Sequence, residues 1–154
     1  MPPAAMSEPA ELTIRLARVD ERHALEELQR RASTALDEYR EQLLANPDAI
    51  DLPLEQIEQG AVLVAELDER VAGFAVVLIG DNHAELDGLF VEPELWRNGI
   101  GAALVGVAVH EARRQGLAMM VTASPTARDF YERCGFTIEG EAQTRFGPAL
   151  RMSR

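Results

Sequence analysis

Two groups of residues in this chain have the types and spacing to do chemistry. The first is Arg97-Asn98-Gly99-Ile100-Gly101-Ala102, which opens an apolar run of helical spacing. Residues without a Cβ at a helix start let an anion approach backbone N–H groups that have no intrahelical partner. The helix dipole places partial positive charge at the same point, so the turn suits a phosphate or pyrophosphate. Arg97 adds a mobile cation beside it. The second group is Glu85 and Asp87, carboxylates that share one face of a strand. Their proximity can raise the pKa of one of them, which favours a general base.

Positioning these residues takes a strand, a sharp turn and a helix. Residues 84–91 are alternating and then fully apolar, and Glu92-Pro93 ends the run. A helix then spans about 99–115, with Ile100, Leu104, Val107, Ala108 and Glu111 along one stripe and Gly116 as its stop. Residues 117–123 form a short, nearly all-apolar strand, expected to lie buried and parallel to the one before the helix. Gly88, inside the first strand, marks a bulge or a close backbone approach.

The rest of the chain supplies the surrounding elements. Residues 12–19 alternate as a strand, and 21–45 carry helical spacing as one long or one broken helix. A short helix fits 54–59. Strands at 61–67 and 70–79 flank the Asp68-Glu69 turn, and Gly80-Asp81-Asn82 leads into residues 84–91, which makes an antiparallel meander. Ser124-Pro125 starts a helix over 125–133 that Gly135 stops. Closing strands at 136–139 and 149–152 are joined by a loop around Gly147-Pro148. The fold class is α/β (α+β): a mixed, mostly antiparallel sheet of about seven strands with a central parallel pair, flanked by about four helices. Residues 12–154 make a single domain, and residues 1–11 read as a disordered tail.

Composition removes several functions. The chain has 154 residues, 47% of them hydrophobic and 27% charged, as in a soluble globular domain. A formal net charge of −11 argues against a nucleic-acid coat, which needs a basic footprint; it suits cationic partners such as amines, and equally an acidic surface that simply keeps the protein soluble. All 15 basic residues are arginine, so Walker-type, Schiff-base and pyridoxal chemistries lack their lysine. Cys134 is the only cysteine. It allows no intrachain disulfide and no cysteine-rich zinc site, and this fits a cytoplasmic compartment. His23, His83 and His110 have no ligand spacing, so no metal is expected. No run is long and apolar enough for a signal core or a membrane span.

The segment Val91-Glu92-Pro93 and then Arg97-Asn98-Gly99-Ile100-Gly101-Ala102 resembles the acetyl-CoA-binding turn of the GCN5-related N-acetyltransferases (GNAT), Gln/Arg-x-x-Gly-x-Gly/Ala. Trp96 stands where that pattern has Gln or Arg. The stretch from Ser124 through Ala127, Phe130, Tyr131, Gly135 and Phe136 resembles a second block of the same family, Asn-x-x-Ala-x-x-Phe-Tyr-x-x-x-Gly-Phe, with Ser124 in place of asparagine.

The resemblance implies the GNAT fold and acetyl transfer from acetyl-CoA to a primary amine of a small molecule or a protein. It implies pantetheine pairing with the backbone of Leu89, Phe90 and Val91, and pyrophosphate held by Arg97, Asn98, Gly99, Ile100, Gly101 and Ala102. Ser124 and Tyr131 would also contact the cofactor. Acetyl transfer needs a neutral amine, a stabilised oxyanion and a proton for the leaving thiolate. Tyr131 matches the family's proton donor. Glu85, counted back from Gly101, falls where histone acetyltransferases of the superfamily carry a glutamate base; Asp87 and a water chain are the alternatives. The competing class is an acyl-CoA-binding regulatory module with a degenerate site. The resemblance places acceptor recognition in residues 21–59 and 139–152, which carry no readable motif, and a homodimer is compatible with it.

Overall fold

Alternation of leucine and isoleucine with polar residues makes β1, Leu12–Leu16, the edge of a seven-stranded sheet. The computed structural model describes residues 11–154, so the expected tail lies, apart from Glu11, outside the described residues. Strands β2 (Val62–Leu67), β3 (Arg70–Ile79) and β4 (Ala84–Val91) follow as the expected antiparallel meander. Helix α4 (Ile100–Arg114) carries the chain over to β5 (Met119–Ala123), and β4 and β5 are the parallel pair. A closing hairpin of β6 (Thr137–Thr144) and β7 (Gly147–Ser153) gives the order β1-β2-β3-β4-β5-β7-β6.

The helical pattern of residues 21–45 is broken. Helix α1 (Arg22–Thr34) ends where the Thr34 hydroxyl donates back to the Arg30 carbonyl at 2.7 Å and Leu36 turns extended. Helix α2 is Arg40–Ala45 and α3 is Leu54–Glu58. With α5 (Arg128–Arg133) the described residues hold five α-helices.

Each face of the sheet buries its own cluster. On one side Leu25 and Leu28 of α1 pack on Val62, Val64, Phe74 and Val76. On the other, α4 covers Ala75, Val77, Ala84, Leu86, Met119 and Val121. At about 1.5–3 kcal/mol per buried Val or Leu side chain, these faces hold β4 and α4 in place against conformational entropy.

Two local expectations are corrected. The buried stripe of α4 runs through Leu104, Ala108 and Ala112, flanked by Val105 and Val109, whereas Val107 lies at its margin and is 37% exposed. Gly147 and Pro148 belong to β7, and the turn falls at Arg145-Phe146. A proline is tolerated there because β5 pairs with β7 only from Leu150 to Ser153, so no ladder bond is lost toward β5.

Candidate active site

The parallel pair is short. Ala84, Glu85 and Leu86 face Met119, Met120 and Val121, and beyond these β4 continues with β3 alone while β5 continues with β7. The gap therefore opens at Asp87. In the β3–β4 register Val77 faces Leu86 and Val76 faces Gly88, which leaves Asp87 as the extra residue of a β-bulge. The bulge shifts the alternation of the strand. Ala84 and Leu86 belong to the α4-side core, but after the bulge Leu89 and Val91 pack there and Phe90 packs with Phe74 on the α1 side. The amides shift with the side chains. The Ala84 N–H donates toward β5, to Ala118, whereas the Glu92 N–H donates to Ala72 beside β3. Leu89 and Val91 then turn their N–H groups into the gap.

The turn expected to hold an anion sits across from this strand. Gly99 is the N-cap of α4 in the left-handed region, at φ 78°, where a Cβ would be strained. Its carbonyl accepts from Ala103 and no side chain caps the helix, so the amides of Ile100, Gly101 and Ala102 have no intrahelical acceptor. Arg97 also has a positive φ, 69°. Trp96 anchors the loop by donating its indole N–H to the Val91 carbonyl at 2.8 Å, and Asn98 donates its amide to Leu95 at 2.9 Å. A bidentate pair between Arg31 of α1 and Glu92, at 2.9 and 3.0 Å, fixes the same loop to the opposite wall.

Between these walls lies a cleft of about 530 Å³. Leu89, Phe90, Val91, Arg97, Gly99, Ile100, Gly101, Ala102 and Tyr131 all line it, while Glu85, Asp87, Asn98 and Ser124 stand outside the lining, Glu85 in a shallower hollow beside His83. The Ser124 hydroxyl instead lies 3.2 Å from that of Thr126. Sequence reasoning missed Ala32, Ser33 and Leu36 on the α1 wall, and Phe130 and Arg133 on α5. A Cβ on Gly101 would come 3.2 Å from the Phe130 ring, so this glycine also sets how closely α5 approaches the helix start.

Tyr131 is buried, with its ring edge-on to Phe130 and Phe136 at 5.0 and 5.5 Å. Burial, with a smaller contribution from Cys134, pushes its phenol pKa well above the ordinary value, so the hydroxyl keeps its proton at neutral pH. No fully buried side-chain polar atom lacks a partner among the described residues, and Tyr131 lines the cleft. Burial also raises the Cys134 thiol, which keeps it protonated and a poor nucleophile.

The two carboxylates have different surroundings. Arg151 of β7 grips Glu85 with two guanidinium hydrogen bonds, at 2.5 and 2.7 Å, and His83 approaches the same carboxylate at 3.2 Å. Burial alone would raise the Glu85 carboxyl, but the Arg151 bonds and charge, with His83, bring it below its ordinary value. Asp87 has no ion-pair partner among the described residues. Neighbouring atoms, and then the Glu85 charge, raise its carboxyl, although the side chain itself is exposed to solvent. No group of three His, Cys, Asp or Glu among the described residues has metal-ligand geometry.

Arg151→Met should cost about 1–2 kcal/mol of stability at neutral pH, since the Glu85 and Arg151 side chains are each about a quarter exposed and the pair is partly screened. Because the folded-state pKa of Glu85 is lowered, the pair stabilises above the ordinary carboxylate pKa and its contribution fades as pH falls through the lowered value. The gap in urea midpoint between wild type and variant should therefore narrow from neutral pH toward the most acidic pH at which both fold.

Comparison with known proteins bears on this geometry. A family model described as Acetyltransferase (GNAT) family matches residues 22–136. Among solved structures, the chain is similar to the PaiA N-acetyltransferase from Thermoplasma acidophilum in complex with coenzyme A. That likeness has a TM-score of 0.77 and 22% identity, over 94% of this chain and 98% of that one. A GNAT-family acetyltransferase from Streptococcus pneumoniae has a TM-score of 0.71 at 21% identity, over 94% and 99% of the two chains. Nourseothricin acetyltransferase is 31% identical over 60% of this chain and 62% of its own, with a TM-score of 0.54. At the lower identities the likeness is one of fold.

Proposed function

The chain belongs to the GNAT acetyltransferase family, and from that premise we propose that it moves an acetyl group from acetyl-CoA to a primary amine by direct transfer in a ternary complex. The observation that carries this reading is the gap between β4 and β5 from Asp87 onward, lined on one side by the amides of Leu89 and Val91 and closed by the free amides at the start of α4. Residues 89–91 pair with an extended arm, and Arg97 to Ala102 hold the pyrophosphate. Asn98 contributes by fixing the loop.

Acetyl-CoA supplies the acyl group. Asp87, the bulged residue at which β4 leaves β5, accepts the proton that leaves the amine nitrogen, because it has a raised pKa and no ion-pair partner among the described residues. Glu85, held by Arg151, sets the charge next to Asp87 rather than acting as the base. Tyr131 gives its proton to the departing sulfur. The acceptor enters from a second hollow of about 640 Å³, lined by Asp37, Glu38, Arg40, Glu41 and Phe146 among others, in which Arg40 offsets Asp37 at 2.8 Å and Glu38 and Glu41 leave a negative balance. Its carboxylates favour a cationic amine, in keeping with the acidic chain. No helix among the described residues is long and apolar enough to cross a membrane, and the lone cysteine fits a protein working in the cytoplasm.

The test is to titrate acetyl-CoA and follow free thiol with a panel of small amines and amine-bearing peptides. Binding together with amine-dependent thiol release is the expected result. Binding without release on any acceptor would favour a regulatory module, and no binding at millimolar concentration would remove the reading altogether.

A further inference from the structure

We propose that Arg133 holds the ribose 3′-phosphate of the carrier, and that it makes the protein discriminate coenzyme A from its 3′-dephospho form; this rests on the acyl-CoA reading above. Ten of the 15 arginines pair with a carboxylate within 4 Å, namely Arg15, Arg18, Arg22, Arg30, Arg31, Arg40, Arg114, Arg128, Arg145 and Arg151. Five have no such partner among the described residues. Of these five, only Arg97 and Arg133 line the cleft, and no carboxylate lines it. In a chain of net charge −11, a cleft whose charged lining is purely cationic is built for an anion.

The local arrangement on α5 keeps Arg133 available. Asp129 stands four residues before it, the spacing of a favourable helix ion pair, yet no pair forms. Its neighbour Glu132 is taken by Arg128 at 2.9 Å. Phe130, three residues before Arg133 on the same helix face, comes against Gly101 of α4, and both Phe130 and Arg133 line the cleft. The carrier has two anionic groups of different kinds. Its pyrophosphate is an anhydride of two singly charged phosphates, which the free amides of α4 and the adjoining Arg97 satisfy. The remaining phosphomonoester carries close to two charges at neutral pH, and a bidentate guanidinium is the donor that matches it.

The experiment measures dissociation constants of coenzyme A and 3′-dephospho-coenzyme A for wild type, Arg133→Gln, Arg133→Lys and Arg97→Gln at one fixed, low salt concentration. Arg133 is exposed, so its substitutions leave the core untouched. Wild type should bind coenzyme A about tenfold more tightly than the dephospho form, the scale of one charge-assisted contact. Arg133→Gln should lose that preference and bind the dephospho form as wild type does, with Arg133→Lys recovering part of the preference. Arg97→Gln should weaken both ligands by the same factor. Equal weakening of both ligands by Arg133→Gln would move Arg133 to the pyrophosphate and overturn the proposal, as would no change with either. If wild type binds neither ligand, the acyl-CoA reading itself fails, an outcome distinct from a wild type that binds both without preference.

Discussion

Asp87→Asn is expected to lower kcat by about 100-fold or more, the scale of a lost general base, while leaving the dissociation constant of acetyl-CoA near its wild-type value. Asp87 is the bulged residue at which β4 leaves β5, and its carboxyl is raised by neighbouring atoms and by the charge on Glu85. Glu85→Gln should cost roughly tenfold or less, because glutamine keeps an acceptor for Arg151 and the base remains. The pH dependence separates the two. A base with a raised pKa loses its working form as pH falls through that raised value, so the wild-type acid limb should lie above the ordinary aspartate value of about 3.9. Asp87→Asn should abolish this limb. Glu85→Gln removes a neighbouring negative charge and should move the limb to lower pH. A larger loss for Glu85→Gln than for Asp87→Asn would return the role of base to Glu85.

Tyr131→Phe should lower the rate by roughly tenfold or more with cofactor affinity nearly intact. The ring contacts with Phe130 and Phe136 survive the change, so packing and the cleft wall are preserved. Only the hydroxyl is lost. If that hydroxyl protonates the departing sulfur, the penalty should shrink for thioesters whose thiol has a lower pKa, since such a sulfur leaves without help. Unchanged turnover would take Tyr131 out of the mechanism.

Much of this site is legible in the sequence. Gly99, Gly101 and the apolar periodicity that follows them report a helix start with unpaired amides, because a left-handed cap and a close approach to Phe130 both demand the absence of a Cβ. Gly88 likewise marked the bulge that sits beside it. The meander and the crossover through α4 follow from strands separated by short turns on one side and by a helix on the other.

Long-range partners were not legible. Arg151 lies 66 residues from Glu85, and nothing in the local pattern of either one indicates that β7 lies against β5 and brings the guanidinium to that carboxylate. The same holds for the α1 wall, where Arg31 reaches Glu92 across 61 residues. Arg133 is a local case: Glu132 pairs with Arg128 four residues earlier on the same helix, and Asp129 pairs with nothing among the described residues.

By itself the sequence determined the elements, the glycine turn that opens α4 and the residue types available for acid and base work, because turn chemistry and hydrophobic period act over a few residues. Only the tertiary structure decided which of the two carboxylates stays free of an ion pair. The pKa of an acid is set by whatever charge and solvent surround it, and those surroundings come from strands far apart in the chain.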